Sequence, residues 1–319
     1  MSFAINTIKK LPLGGLGALL LLSFILASCT NKNAETAELE NAFAYPLEIE
    51  DYAFADSSKF ANIEIKIALP VAKDSVSQVI RDSLTAIASK CLRGYFNGMV
   101  FGIAEYKGKD TKSKLDYYCK EFSRLMVDSM AKEDYNEKVK YWEEDTTLTD
   151  EQRKEFKENI PPYDYTMNIY KVFEDSTYAV FYDSEYTFTG GAHGGVFGWG
   201  GITFRFSDGS IVKAFLKDNV VKAMQPLLKK GLKEYFNENA DDKITTDQQL
   251  MEQLMLPNES KGLIPLPAWT PFPDEKGKGL VFTYQQYEIA CYAVGMPSFV
   301  LSWEELKPFL KEDILEDLK

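Results

Sequence analysis

Between Phe60 and Pro70 the chain reads FANIEIKIALP, in which Ile63, Ile65, Ile67 and Leu69 alternate with other residues until a proline stops the run. Alternation at period two predicts a half-buried strand. Lys73-Asp74-Ser75 then opens a stripe of Val76, Ile80, Leu84, Ile87 and Cys91, ended by Gly94 and Gly98, which predicts a helix with one apolar face. A longer helical pattern runs from about Ser113 to Glu143, with Leu115, Cys119, Phe122 and Met126 on one side. Thr149-Asp150-Glu151 starts another helix, stopped at Pro161-Pro162.

From Tyr163 the period drops to two. Tyr165, Met167 and Ile169 alternate, Glu174-Asp175-Ser176 turns the chain, and Tyr178, Val180, Tyr182, Tyr186 and Phe188 make an aromatic row on the next strand. Asp183, Glu185 and Thr187 share the opposite face, which this reading points at solvent. Ile202, Phe204 and Phe206 repeat the pattern up to the hairpin signal Asp208-Gly209, so the region reads as an antiparallel meander.

Val221, Met224, Leu228, Leu232 and Tyr235 mark a helix that Pro226 is expected to kink or restart. Thr246 to Leu256 gives a short helix, LIPLPAWTPFP a loop or edge strand, and GLVFTYQQYEIACYAVGMPSFVLSW the last strands. SWEELKPFL closes the chain as a helix capped by Ser302, with Glu305 three residues on. The expected class is α+β: a helix-rich amino-terminal lobe, 45–162, followed by an antiparallel sheet packed with helices, 163–319, the two able to form one compact unit.

The amino-terminal residues change the picture from fold to address. Lys9 and Lys10 precede an apolar run from Leu16 to Leu26, and Leu26-Ala27-Ser28-Cys29 resembles the bacterial lipobox. The resemblance implies a signal peptide over 1–28, lipidation of Cys29, a polar tether over 29–44, and attachment at the cell envelope, expected at the outer membrane on either face. The formal net charge is -12, and losing Lys9 and Lys10 with the leader would leave the mature chain near -14. Such a surface repels nucleic acid and attracts cationic partners. Cys91, Cys119 and Cys291 lack zinc-motif spacing. Cys91 and Cys119, each on an apolar helical stripe, read as core thiols, with a bridge between them left open by an oxidising compartment. No cofactor and no metal are expected.

Thr187 to Gly201 reads TFTGGAHGGVFGWGG and holds the chain's one histidine, His193, among seven of its 20 glycines. Two readings stay open. His193 could fix a bulge at the strand junction, with Thr189, Gly190, Gly191, His193, Gly194, Trp199 and Tyr287 as ligand-binding candidates. In the other, His193 is a general base oriented by Asp183 or Glu185 in an envelope hydrolase. Binding is the preferred reading, because no nucleophile or metal set accompanies the histidine.

TGGAHG between two strands, followed downstream by GLVFTYQQYEIACYAVG, resembles the RsiV/PdaC-like extracytoplasmic domain family, which also occurs in bacterial lipoproteins. The resemblance implies a PdaC-like amino-terminal lobe, an RsiV-like carboxyl-terminal lobe, and recognition of an envelope ligand. That ligand would be a cationic protein such as a lysozyme, or a peptidoglycan-type glycan. It does not carry deacetylation over, since that chemistry needs several metal-binding histidines and this chain has one.

Overall fold

The computed structural model describes residues 46–96, 99–100, 102–190, 195–238 and 243–319, with the backbone alone at 95–96, 99–100 and 196–199. Strands β1 (Ile49–Ser57) and β2 (Ala61–Pro70) form an antiparallel pair. Helix α1 (Ser75–Arg93) follows, capped as its sequence predicts. Asp74 accepts from the Ser77 backbone N–H at 2.8 Å, and the Ser77 hydroxyl accepts from the Asp74 N–H at 3.1 Å. Beyond a short hairpin, β3 (Tyr95–Phe96) and β4 (Met99–Val100), come α2 (Thr111–Met126), a π-helical turn (Val127–Ala131), α3 (Lys132–Glu144) and α4 (Asp150–Glu158).

The chain then returns to the sheet with β5 (Tyr163–Glu174), β6 (Tyr178–Phe188) and β7 (Gly195–Arg205). The order across the five strands is β1-β2-β5-β6-β7. β5 pairs with β2 in parallel and with β6 antiparallel. Parallel neighbours need a long crossover connection, and here the segment carrying α1 to α4 supplies it. One face of the sheet is lined by Ile63, Ile65, Ile67, Tyr165, Met167, Ile169 and Phe181. It buries Ile80, Leu84 and Leu92 of α1 and Leu115, Phe122 and Met126 of α2 in one continuous core. Each such side chain contributes about 1.5–3 kcal/mol by leaving water.

A second core lies beyond the sheet. It gathers Met224, Leu228 and Leu232 of α5 (Val221–Glu238) with Leu280, Phe282, Phe299 and Leu301 of β9 (Gly279–Thr283) and β10 (Ser298–Ser302). Helix α6 (Asp247–Gln253) and the edge strand β8 (Phe272–Pro273) flank it, and α7 (Trp303–Leu306) and α8 (Glu312–Asp317) close the chain. Pro226 lies inside α5, which runs as one helix, so the expected restart does not occur.

A boundary after Pro162 would cut between the hydrogen-bonded strands β2 and β5. The second core takes Tyr178 from β6 and otherwise begins at Val212, after Phe206 of the first. At that point lies the Asp208-Gly209 turn, where Gly209 adopts φ +73°. The two cores are also stitched together polarly. Arg205 of β7 donates to Asp317 at 2.8 Å and to Asp313 at 2.6 Å on α8, and the Tyr178 hydroxyl donates to Asp317 at 2.7 Å.

Gly231 of α5 faces the Phe299 ring so closely that an added Cβ would overlap it. That ring is held parallel to Phe282 at 5.6 Å and has nowhere to move. Helix propensity favours alanine over glycine by about 1 kcal/mol, whereas overpacking a filled core costs about 1–3 kcal/mol. Gly231→Ala is therefore expected to destabilise the protein despite improving the helix, read as a lower urea midpoint.

Candidate functional site

The register of β5 on β6 decides where the polar face of β6 points. Ile169 is opposite Asp183, Met167 opposite Glu185 and Tyr165 opposite Thr187, and directly paired residues share a face of the sheet. Met167, Ile169 and Tyr165 belong to the core under α1 and α2, so the two acids face the same way. Asp183 is 8 % exposed. The expectation that Asp183, Glu185 and Thr187 line a solvent-facing groove is corrected: they point into the protein. The aromatic row of β6 points the other way and is also covered, since Tyr178 enters the second core and Tyr182 packs on Phe272 at 5.6 Å.

Beneath the last turns of α1, the Cys91 sulfur and the Asp183 and Glu185 carboxylates lie within 4.8 Å of one another. The Tyr165 hydroxyl donates to Glu185 Oε2 at 3.0 Å, and the Cys91 sulfur lies beside the same carboxylate. Asp183 Oδ1 is buried without a hydrogen-bond partner. Burial, reinforced by the Glu185 charge, holds the Asp183 carboxyl well above the usual carboxylate range. Burial also raises Glu185, while the bonds from Tyr165 and Cys91 pull it back. The Cys91 thiol is pushed up first by burial and then by the two acids, so it is a protonated donor and not a reactive thiolate.

The bridge left open between Cys91 and Cys119 is not formed; both are free thiols. Cys91 turns to Glu185, whereas Cys119 is buried beside Tyr52, its thiol raised to about 12 by burial although Tyr52 pulls the other way.

Next to the acid pair the register of β6 on β7 breaks. Asp183 is opposite Gly200 and Glu185 opposite Phe197, so Ser184 faces two residues, Gly198 and Trp199. This bulge lies within β7. His193, Gly191 and Gly194 fall outside the described residues, as does the Trp199 side chain. Thr189 and Gly190 sit at the end of β6, where Gly190 lies close to Lys138 and Pro161. Gly200 and Gly201 have a packing role. A Cβ on Gly200 would come within 3.0 Å of the Trp269 ring, and one on Gly201 would overlap the Phe272 ring. Glycine lets the segment 269–272 lie flat on β7 and brings the second core against the sheet.

That same segment carries the most distinctive exposed surface. Trp269 is 46 % exposed, Tyr287 42 % and Met255 62 %. All three are held around the 285–289 turn: Glu288 accepts from the backbone N–H of Ala268 at 2.6 Å and of Gln285 at 2.7 Å, and the Met255 N–H donates to Ile289 at 2.7 Å. Tyr287 has φ +64°, rare for an aromatic residue, and packs on Tyr292 with ring centroids 5.7 Å apart. Of the sequence candidates, Tyr287 thus has a defined surface setting. Trp269, Met255, Cys91 and Tyr165 were missed as site residues. The proline-rich stretch around Trp269 reads only as a loop, and nothing local shows that Cys91 and Tyr165 meet β6.

The raised Asp183 carboxyl has a consequence for stability. The folded protein holds this proton more tightly than the unfolded chain, so its contribution falls as pH rises from the ordinary carboxyl value, about 4, through the raised folded one. In metal-free buffer Asp183→Asn should be more stable than the parent at pH 7, with the difference closing toward pH 4, measured as paired thermal midpoints across that range.

Residues 213–304 match the family model described as "Protein of unknown function (DUF3298)". The crystal structure of a DUF3298 family member from Bacteroides fragilis matches at TM-score 0.60 and 16% identity, covering 85% of this chain and 97% of that one. A DUF3298 family protein from Pseudomonas aeruginosa matches at TM-score 0.54 and 14% identity, covering 84% and 96%. No curated protein matches the chain. Trp269 and Tyr287 lie inside the segment matched by the family model and the acid pair of β6 lies before it; at these identities the likeness to the solved structures shows a shared fold.

Proposed function

We propose that this chain is a binding module of the bacterial cell envelope, tethered by lipid at Cys29, that takes a cationic protein such as a lysozyme on the surface around Trp269 and Tyr287. An envelope glycan is the other ligand this surface suits. The observation that carries the reading is the cluster of half-exposed Trp269, Tyr287 and Met255 on segments pinned to one turn, with Tyr287 held in a left-handed conformation. Rigid aromatic side chains on anchored loops give contact area at low entropic cost, which is what protein and sugar recognition use. A strained backbone at such a position is a recurrent mark of a working surface.

The charge of -12 supports a cationic ligand through its long-range field. The RsiV-like resemblance of the glycine hairpin and of the segment from Gly279 points to the same ligand class. Lipid attachment rests on the Leu26-Ala27-Ser28-Cys29 motif, and no helix among the described residues is long and apolar enough to cross a membrane. A hydrolase built on Asp183 or Glu185 is disfavoured, because both acids face the core and Cys91 instead of a groove.

Residues 45–319 titrated with hen-type lysozyme over a salt series should form a complex that weakens as ionic strength rises, and Trp269→Ala should weaken it by about tenfold or more. Tyr287→Gly is the sharper variant. It relieves about 1 kcal/mol of backbone strain and gives up a ring contact of about 0.5–1.5 kcal/mol, so stability should stay near the parent's while binding falls. Turnover of peptidoglycan fragments that His193→Ala abolishes would instead favour the enzyme reading.

A further inference from the structure

The geometry points to a binding site for one divalent cation of the zinc class at Cys91, Asp183 and Glu185, between the last turns of α1 and the inner face of β6. Three lines of observation converge on it. The donor atoms of these residues, a sulfur from one element and carboxylate oxygens from another, already lie within 4.8 Å of one another. Donors around a tetrahedral zinc at its usual bond lengths are separated by roughly 3.2–3.8 Å, so small side-chain adjustments would close the set. Second, Asp183 Oδ1 is buried with no partner in the protein, although a buried carboxylate oxygen normally has one. An unpartnered acceptor aimed at a second carboxylate and a thiol wants a cation more than it wants either neighbour.

The third line is the support around the set. Glu185 is oriented by the Tyr165 hydroxyl at 3.0 Å, and a hydrogen bond of that kind to a ligating carboxylate is the usual outer-shell arrangement of a metal centre. Asp183 and Glu185 are carried on one strand in hydrogen-bonded register with the buried Ile169 and Met167, so their backbone is fixed before any ion arrives.

The donor set also chooses among cations. Magnesium and calcium ask for six or more oxygens and disfavour sulfur. One sulfur with carboxylate oxygens suits zinc and its neighbours in the first transition row, and three protein donors leave a fourth position for water or for a donor atom of a ligand. Metal ligation requires the deprotonated thiolate and carboxylates, so apparent affinity should rise with pH.

The test is a titration of the full chain, stripped with chelator and kept reduced, with Co²⁺ as the spectroscopic probe and Zn²⁺ as competitor. The expected result is uptake of one equivalent of cobalt with a sulfur-to-cobalt charge-transfer band in the near ultraviolet, which zinc then removes. Cys91→Ser should abolish the band, Tyr165→Phe should weaken uptake by about 10–100-fold, and Asp183→Asn should weaken it further. Glu185→Gln gives the same reading should Asp183→Asn fail to fold, as judged by circular dichroism. Absence of the band in the folded parent overturns the assignment. So does a band that survives Cys91→Ser, which would place cobalt on Cys29, Cys119 or Cys291, and so does unchanged affinity in both carboxylate variants.

Discussion

The register between β5 and β6 is the constraint on which the rest of the molecule turns. It places Asp183 beside Ile169 and Glu185 beside Met167, in a row otherwise given over to apolar side chains. Two carboxylates on alternate residues of one strand repel each other, and in a low-dielectric interior that repulsion is far stronger than at a surface. The protein answers with a phenol, a thiol and retained protons, and still leaves one oxygen unsatisfied. A sheet that needed only to be stable would carry valine or leucine at these two positions.

The β6–β7 end of the five-stranded sheet is covered on both sides, and the glycines of β7 let this happen. The helices α1 and α2 fill one face. On the other, Gly200 and Gly201 admit Trp269 and Phe272, which link the sheet to the second core. The same close approach presents the far side of that segment, with Trp269 and its neighbour Tyr287, to solvent. A buried polar cluster and an exposed aromatic surface thus sit on opposite sides of one stretch of sheet, and the glycine-rich strand runs between them.

Much of the secondary structure was legible in the chain. The alternation in β2, the Asp74 cap and stripe of α1, the long helical run through α2 and α3, the β5-β6-β7 meander and the Ser302 cap all appear where local chemistry places them. The facing of β6 was not legible. Alternation separates Tyr182 and Tyr186 from Asp183 and Glu185, and the rule that apolar residues face inward works only when one face of a sheet meets water. Here Tyr182 packs on Phe272 while the acids face α1, so both faces are interior and the rule has no purchase. Nor does the change of period at Tyr163 show where β5 goes. A change of period marks a new element, but β5 is a new element of the sheet that β2 had already begun. Trp269 and Cys91 depend on contacts distant in sequence, which no local spacing encodes.

The central claim is that Asp183 and Glu185 lie inside the protein, against Cys91 and Tyr165. Carboxyl carbon NMR of the metal-free chain, followed from acid to alkaline pH, addresses it most directly. Asp183 should remain protonated well above the ordinary carboxylate range, with Glu185 also displaced upward. If both resonances titrate near pH 4 together with those of surface carboxylates, the acid face of β6 looks to solvent and the account is wrong.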